Sequence, residues 1–250
     1  MGWTRHLEAL ADPVYDLDLN LRSHLAVIAA LAHGGPRLFI YLGSSHQYGG
    51  GVGAVLDEQT PFTPLDVQSI HKAAADHHYR LAARRLAFPI VALRFGNTFG
   101  PGQPIEGDDI GLIGRFVRTL LRGETLDVYT GNRRRNLVYA PDLAAAVEAL
   151  AGRDLAGLQP FNFAGINIGV AELARLLAAQ IGTGRLIEKP IPSEVAAIEV
   201  GDARLDDSRL QTIIGSISTT DLAVAIAATV ADVRQRLISA VGRGQLAEPR

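Results

Sequence analysis

Two short apolar runs constrain the fold of this 250-residue chain more than any other feature of its sequence. Residues 38–42 and 89–94 are almost continuously apolar, and helical patterns over residues 18–33 and 66–87 precede them. A strand without polar alternation is typical of a parallel sheet that is buried on both faces. Strands that alternate with helices therefore predict an α/β fold built on a parallel sheet.

The rest of the chain continues this alternation with shorter elements. The sequence predicts, in order, a loop over 49–63, a polar loop through Asp109, a helix over about 110–122, strands at 126–129 and 137–139, a helix over 141–151, a strand at 161–163, a helix over 170–181, a mixed stretch over 187–214 and a closing helix over 220–240. No internal repeat or low-complexity linker interrupts the pattern. The sequence therefore predicts one compact unit.

Composition narrows the classes of protein to which the chain can belong. Without cysteine it has no disulfide, no thiolate nucleophile and no cysteine-bound zinc. A net charge of −2 favours neither nucleic acid nor an anionic membrane as a partner. No apolar run approaches the roughly 20 residues that span a bilayer. The N-terminal residues lack the layout of a signal peptide, so we expect a cytoplasmic protein.

Three motif blocks carry the information about function. Ser-Ser-His-Gln-Tyr-Gly at 44–49 is followed by Gln-Ser-Ile-His-Lys-Ala-Ala-Ala-Asp at 68–76 and by Leu-Arg-Phe-Gly-Asn-Thr-Phe-Gly-Pro-Gly at 93–102. In this order they resemble the extended short-chain dehydrogenase/reductase family of NAD-dependent epimerases and dehydratases, from about residue 12 to residue 241. The resemblance implies a doubly wound, Rossmann-like sheet with a small C-terminal α/β lobe. It also implies a nucleotide sugar or a related small metabolite as substrate and NAD(P) as cofactor.

Gln68 departs from the family pattern at its central position. In the family the second block reads Tyr-x-x-x-Lys, and the lysine, here Lys72, lowers the pKa of a tyrosine that acts as acid and base. Glutamine neither donates nor accepts a proton near neutral pH, so this acid/base chemistry is lost. Lys72 is one of only two lysines in the chain. It is either a retained catalytic and cofactor-binding residue or a solvated helix residue.

The resemblance also implies roles for four further residues. Ser44 matches a hydroxyl that hydrogen-bonds the reacting oxygen of the substrate, and Ser45 beside it is a candidate for substrate binding, although both could instead satisfy backbone groups at a strand end. Asn97 matches an asparagine that contacts the substrate diphosphate, or it caps a turn. Arg135, in the run 133–135, matches an arginine that binds phosphate, or it belongs to a solvated turn.

Histidines near these motifs raise the question of a metal or of a replacement base. His71, His77 and His78 are separated by six residues and by one, whereas two ligands on one helix need a spacing of three or four. The sequence therefore predicts no metal site. His46 and His71 lie within the motif blocks and are candidates for a base in place of the tyrosine.

A Gly-rich turn for the cofactor is not found in the sequence. In a Rossmann fold such a turn joins a strand to a helix, and its backbone amides hold the pyrophosphate. The fingerprint of such a turn is Gly-x-Gly-x-x-Gly. In the glycine cluster at 49–53, Gly51 and Gly53 fit its first two positions, but the third position is Leu56, and no helical pattern follows the cluster. The sequence therefore predicts that the N-terminal dinucleotide-binding half is missing and that NAD(P) binds weakly or not at all.

The resemblance divides the chain into two regions. Residues 1–110, with parts of 124–170, correspond to a remnant of the Rossmann-like core, and residues 111–123 and 171–250 correspond to a substrate-binding lobe. Many relatives carry an arginine in that lobe for the second phosphate, where this chain has Glu199. A carboxylate there would repel a diphosphate by about 1 kcal/mol or more.

Three functions are consistent with these observations. The first is a divergent enzyme of isomerase or lyase type that uses Ser44 and Lys72 in altered or non-redox chemistry. The second is a pseudoenzyme or scaffold subunit, and the third is a half-enzyme completed by a partner chain that supplies the NAD-binding half.

The resemblance also predicts how copies of the chain associate. It implies a homodimer formed through the helices at 18–33 and 66–87. Loss of the first strands would leave residues 38–42 at a sheet edge, where unpaired backbone groups invite pairing with another chain. Residues 1–17 could cover that edge, from the same chain or from a partner.

Overall fold

The computed structural model of the chain describes residues 2–51, 53–107, 110–131, 133–199 and 201–242. The helices are α1 (His6–Ala11), α2 (Pro13–Leu17), α3 (Ser23–Leu31), α4 (Val67–Ala82), α5 (Gly111–Leu121), α6 (Ala140–Ala151), α7 (Val170–Ile181), α8 (Ser193–Ala197), α9 (Ser208–Ile214) and α10 (Leu222–Gly242). The strands are β1 (Phe39–Leu42), β2 (Val55–Leu56), β3 (Ile90–Arg94), β4 (Asn97–Phe99), β5 (Thr125–Tyr129), β6 (Arg134–Tyr139), β7 (Leu158–Asn162), β8 (Ile166–Gly169), β9 (Arg185–Lys189) and β10 (Arg204–Leu205). Asp109 of the predicted polar loop and residues 243–250 of the predicted lobe lie outside the described residues.

The central sheet confirms the predicted α/β fold. Strands β1, β3 and β7 are parallel and lie in that order, with Phe39 opposite Ile90 and Ile90 opposite Leu158. All five residues of β3 are buried, as expected for the middle strand of a parallel sheet. Among the strands of the described ranges, β1 pairs with β3 alone, so it forms an edge of this sheet.

Helices cover both faces of the central sheet. On one face, Ile90 and Ala92 pack with residues of α4. On the other face, Val91 and Leu93 pack with residues of α6 and α9. Successive residues of a strand point to opposite faces, so a strand between two helical layers needs an apolar side chain at each position. This is the doubly wound arrangement that the sequence predicts.

A second hydrophobic core lies in the C-terminal part of the chain. Helices α5, α7 and α10 contribute to it together with β5, which pairs in parallel with β9. A third sheet has the order β4, β6 and β8, with β4 parallel and β8 antiparallel to β6. In the described part of the chain, no helix combines the length and the apolar character that a membrane crossing requires.

Several segments differ from the sequence-based prediction, among them the N-terminal residues and the loop over 49–63. Helices α1 and α2 come before residue 18, where the first helix was predicted to begin, and a π-helical stretch, Asp18–Arg22, leads into α3. Both early helices pack against α4. The predicted loop over 49–63 contains β2, which pairs in parallel with β10. A strand of two residues has no periodic pattern, so its sequence does not reveal it.

The carboxyl ends of β1 and β3 lie at the same edge of the central sheet, where α/β proteins bind their ligands. Ser44 follows β1, and Asn97 follows β3. Between β3 and β4, Gly96 lies so close to β6 that a Cβ atom would overlap the carbonyl oxygen of Asn136. Glycine at position 96 therefore allows the chain to bring Asn97 beside β6.

Candidate functional site

A cleft with a volume of about 510 Å³ lies at the carboxyl ends of β1 and β3. Most of the residues that the sequence singles out line it: they are Ser44, His46, Gln68, Lys72, Asn97 and Arg135. Residues of the N-terminal segment and of the start of α5 complete its walls. Polar side chains from separate motifs thus share one concave site, which is typical of a small-molecule binding site.

Ser44 is held by the turn that follows β1. Its backbone is extended, and its Oγ accepts a hydrogen bond from the backbone N–H of His46 at 3.2 Å. This bond uses Oγ as an acceptor and leaves its hydrogen available. Ser44 can therefore donate a hydrogen bond to an oxygen atom of a ligand in the cleft.

Ser45 lines a smaller cavity next to the cleft. The N–H of Ser45 donates to the carbonyl oxygen of Phe95 at 2.9 Å, which ties the turn after β1 to the end of β3. The cavity has a volume of about 30 Å³, and Asn97 and Arg135 line it as well. Such a volume holds about one water molecule. Asn97 thus borders both spaces, whereas Ser45 borders the small one.

A buried polar network holds this turn against α4. The guanidinium of Arg94 donates to both carboxylate oxygens of Asp76, at 2.9 and 3.0 Å, and to the hydroxyl of Tyr48 at 2.7 Å. The Tyr48 hydroxyl donates to Asn162 Oδ1 at 2.7 Å, and Gln47 Nε2 donates to Asp76 at 3.1 Å. The network joins β3, β7, the turn and α4, so it fixes the relative positions of the elements that form the cleft.

Helix α4 places Lys72 in the wall of the cleft. Asp66 caps the helix, because its carboxylate accepts a hydrogen bond from the N–H of Ser69 at 2.8 Å. Burial lowers the pKa of the Lys72 ammonium, and the negative charge of Asp16 opposes this shift. The Lys72 amine thus lies in a partly enclosed site, where a charge acts more strongly than it would in water.

Gln68 fastens the N-terminal segment over the cleft. Its Nε2 donates to the carbonyl oxygen of Trp3. Asn20 Nδ2 donates to the same oxygen at 3.2 Å, and the N–H of Trp3 donates to Asn20 Oδ1 at 3.3 Å. The position that the resemblance gives to a proton-transferring tyrosine therefore makes a structural hydrogen bond in this chain.

His46 lies in the cleft as a neutral ring. Burial, followed by the positive charges of His6 and Arg135, lowers the pKa of His46 to about 3. Its Nδ1 is buried and has no hydrogen-bond partner among the described residues. The ring stacks on His6, with centroids 4.8 Å apart. A base with so low a pKa accepts a proton weakly near neutral pH, so His46 is a poor replacement for the tyrosine.

His6, His46 and Asp66 form a cluster that the sequence did not indicate. Their candidate metal-ligating atoms lie within 4.8 Å of one another. His6 Nδ1 and Asp66 Oδ2 are 2.9 Å apart and form a hydrogen bond, so this pair is satisfied without an ion. The three residues belong to distant segments, and no spacing rule could have found them. The sequence-based prediction of no metal site stays a prediction.

The structure does not bring His71 to the cleft. Its Nδ1 lies 2.6 Å from a carboxylate oxygen of Asp16, whose side chain is fully buried. Asn20 Nδ2 donates to the other oxygen of Asp16 at 2.7 Å. His71 therefore joins α4 to α2, and its position does not suit a base that acts on a ligand in the cleft.

Arg133 and Arg135 bind the carboxylate of Glu199. Arg133 Nε donates to Glu199 Oε2 at 2.5 Å, and Arg135 donates through Nη1 and, at 3.1 Å, through Nη2. Burial opposes the ionisation of Glu199, but the hydrogen bonds and charges of Arg135 and Arg133 hold the pKa of its carboxyl below the usual value. The sequence marked Glu199 as unfavourable for a diphosphate but did not show that it pairs with Arg135.

The region that contains the motif blocks matches a known protein family. The model of the NAD dependent epimerase/dehydratase family matches residues 5–169, a range that includes all three motif blocks. The chain belongs to the NAD dependent epimerase/dehydratase family. This membership confirms the resemblance that the motif blocks indicate.

Curated relatives and solved structures within the NAD dependent epimerase/dehydratase family resemble the chain to different extents. dTDP-D-glucose 4,6-dehydratase of Mus musculus is 32% identical over 125 residues, which are 50% of this chain and 34% of the relative. dTDP-L-rhamnose 4-epimerase of Burkholderia thailandensis is 28% identical over 149 residues, 59% of this chain and 39% of the relative. The matched segments thus span well under half of either relative. The structure of UDP-glucose 4-epimerase from Thermotoga maritima superposes with a TM-score of 0.83 at 23% identity and covers 95% of this chain and 76% of that one.

The cofactor of the epimerase/dehydratase family fits the described residues only in part. Lys72 lines the cleft, but among the described residues no Gly-rich turn leads from a strand into a helix. Gly49, which begins the glycine cluster, has a φ of 77° and lies so close to Thr63 that a Cβ atom would overlap its carbonyl oxygen. Packing and backbone conformation therefore account for this glycine.

Proposed function

We propose that this chain binds a nucleotide sugar or a related small metabolite in the cleft and acts on it with altered, non-redox chemistry of the isomerase or lyase type. One observation carries the proposal: Ser44, Lys72, Asn97 and Arg135 line the same cleft although they come from four separate segments. The substrate class is supported by curated relatives that are named for dTDP-glucose and dTDP-rhamnose.

Ser44 and Lys72 are suited to stabilise negative charge on an oxygen atom of the ligand. The Ser44 hydroxyl donates a hydrogen bond, and the Lys72 ammonium supplies a positive charge in a partly enclosed site. Gln68 is bonded to Trp3 and neither gives nor takes a proton. This arrangement supports polarisation of a hydroxyl or carbonyl oxygen of the substrate. Because Gln68 cannot transfer a proton, solvent or the substrate itself must donate or accept the proton of the reaction.

Substitutions of Ser44 and Lys72 test this proposal. With dTDP-glucose, UDP-glucose and glucose 1-phosphate as ligands, we expect at least one to bind and to be converted. Ser44→Ala and Lys72→Met should each lower turnover by about 10²-fold or more, the usual loss for a positioned polar group. Lys189→Met is the matched control, since Lys189 is half-exposed and pairs with Asp127. Full activity in both site variants would exclude this cleft as the working site.

A pseudoenzyme that binds a ligand without converting it is a second candidate, and Gln68 favours it. The amide of Gln68 is committed to the backbone of Trp3, so the acid/base position is both chemically changed and occupied. Proton NMR of the bound sugar after prolonged incubation separates the two candidates. An unchanged ligand that needs Ser44 and Lys72 for binding would support the pseudoenzyme and contradict the enzyme.

A half-enzyme completed by a partner chain is the third candidate. We expect this chain by itself to bind NAD(H) weakly, because the described residues lack the amide cradle and helix N-terminus that hold a pyrophosphate. Isothermal titration with NAD⁺ and NADH measures this. A micromolar dissociation constant for the chain alone would contradict the expectation and restore redox chemistry, whereas binding that requires a second chain would favour the half-enzyme.

A further inference from the structure

Two guanidinium groups, those of Arg133 and Arg135, meet at Glu199 beside the cleft. Arg133 immediately precedes β6, Arg135 is its second residue, and both side chains donate to the carboxylate of Glu199. The Arg133 and Arg135 side chains are 11% and 13% exposed, respectively. Arg135 lines both the cleft and the small cavity beside it. Two converging planar guanidinium groups form, by their geometry and charge, a binding position for an anion.

Glu199 already occupies this position. Its carboxylate accepts hydrogen bonds from both arginines, with each oxygen atom bonded, and the side chain is 14% exposed. Two positive charges and one negative charge leave a net charge of +1 at the position. A second anion must therefore bind beside a carboxylate or displace it into a partly buried place without a counterion, which is costly.

The backbone around Glu199 is anchored to the rest of the chain. Asp202 accepts a hydrogen bond from the N–H of Gly53 at 2.5 Å, and Arg204 in β10 lies opposite Val55 in β2. The backbone N–H of Arg204 also donates to the carbonyl oxygen of Ala54 at 2.8 Å. These contacts follow Glu199 within a few residues, so the carboxylate is held at the arginines and does not lie on a free loop.

We propose that Glu199 is a specificity-determining residue whose carboxylate fills the anion position between Arg133 and Arg135, so that the cleft selects against a diphosphate there. This inference rests on the proposed function, since it narrows the ligand class of the same cleft. The favoured ligand presents at most one anionic group to these arginines, such as a phosphate monoester or a carboxylate, and not a nucleoside diphosphate.

Glu199→Gln tests the inference because it removes the charge and keeps the shape. By isothermal titration, the wild-type chain should bind UDP no more tightly than UMP. The variant should gain about tenfold or more in affinity for UDP and less for UMP, as expected when a like charge leaves a partly buried anion site. Glu188→Gln is the matched control, since Glu188 pairs with Arg175 at an exposed position, and it should change neither affinity.

Two further measurements test whether the arginines and the missing negative charge cause the gain in affinity. Adding Arg135→Gln to the Glu199→Gln variant should abolish the gain for UDP. Both arginines lose their counterion in the Glu199→Gln variant, and this loss can prevent folding without a ligand. In that case millimolar inorganic pyrophosphate should restore folding by replacing the carboxylate. A variant that stays unfolded with pyrophosphate contradicts the inference. Wild-type chain that binds UDP tightly, or a variant that gains nothing, overturns the inference. The proposed function depends instead on the Ser44 and Lys72 variants, so the two failures are distinguishable.

Discussion

Arg94 is a fully buried charge beside the cleft, and its surroundings explain how the fold accommodates it. Asp76 pairs with it through both carboxylate oxygens, and the rings of Phe62 and Tyr48 lie 4.8 and 5.5 Å from its guanidinium carbon. A buried charge is tolerated when it is paired and fully hydrogen-bonded. Removal of one partner therefore leaves the other charge uncompensated in the interior.

Asp76→Asn should lower the free energy of unfolding by about 3–5 kcal/mol, the usual cost of breaking one side of a buried ion pair. Urea unfolding followed by circular dichroism measures the change. The double variant Arg94→Met with Asp76→Leu removes both charges and should recover much of the loss. Asp127→Asn is the control, because its exposed pair with Lys189 contributes at most about 1 kcal/mol. Equal stability of the Asp76→Asn variant and wild type would contradict this account.

His24 should make the chain less stable in mild acid. Burial, followed by the charge of Lys72, lowers the pKa of His24 from 6.5 to about 4. Between these values the unfolded chain binds a proton that the folded chain does not, so stability falls as the pH falls from about 6.5 to about 4. His24→Gln should reduce the slope of this part of the curve, to which His46 also contributes, whereas the exposed His33→Gln should leave the slope unchanged. Thermal midpoints across this pH range provide the measurement, and parallel curves for wild type and His24→Gln would refute the assignment.

At the scale of elements, α4 connects the cleft to the buried network. Gln68, Lys72 and Asp76 are spaced by four residues, so they follow one another along one face of the helix. Gln68 and Lys72 border the cleft, and Asp76 pairs with Arg94 at the end of β3. A shift of α4 would therefore displace Gln68 and Lys72 from the cleft and, at the same time, break the Asp76–Arg94 pair.

The approach of β4 to β6 leads to a second test at this scale. Gly96→Ala should destabilise the chain by about 2 kcal/mol or more, because its Cβ would overlap the carbonyl oxygen of Asn136 and force the backbones apart. Gly152→Ala is the control, since a Cβ there meets its nearest neighbour at an ordinary 3.5 Å. Chemical denaturation compares the two variants. A Gly96→Ala variant as stable as the control would show that the β3–β4 connection adjusts without cost.

At the scale of the whole molecule, the described residues leave one side of β1 without a partner strand and expose apolar side chains on α3 and α4. Within the described residues β1 pairs on one side, and α1 and α2 pack against α4. Leu25 and Val27 of α3 are 37% and 39% exposed, and Ile70 of α4 is 50% exposed. An apolar surface on these helices is suited to an interface with another copy of the chain.

We therefore expect a two-fold dimer that forms through α3 and α4. Light scattering at micromolar concentration should give twice the 26.7 kDa mass of the chain. Ile70→Glu should shift the mass toward that of the monomer, because a charge at the interface loses its hydration. Val224→Glu on α10 is the control, since Val224 is 59% exposed and lies outside the expected interface. A soluble wild-type monomer would contradict the dimer.

The sequence by itself determined the parallel sheet and most of the cleft. The apolar residues of β3 predict burial on both faces, because local periodicity reports the environment of a strand directly. Ser44, Lys72 and Asn97 are site residues that the family resemblance implies, and they line one cleft because they lie after β1, on α4 and after β3, where parallel strands bring their carboxyl ends to one edge. The two-residue strands β2 and β10 were missed, since they are too short to show a period.

Only the tertiary structure decided which distant side chains meet. Glu199 lies 64 residues from Arg135 in the sequence, yet its carboxylate pairs with that arginine, and Gln68 bonds to the backbone of Trp3. His71, one residue before Lys72, turns to Asp16 and away from the cleft. Such pairs depend on the packing of whole elements against one another, whereas periodicity and motif spacing describe neighbours along one element. The sequence therefore located the cleft, and long-range packing decided its charge.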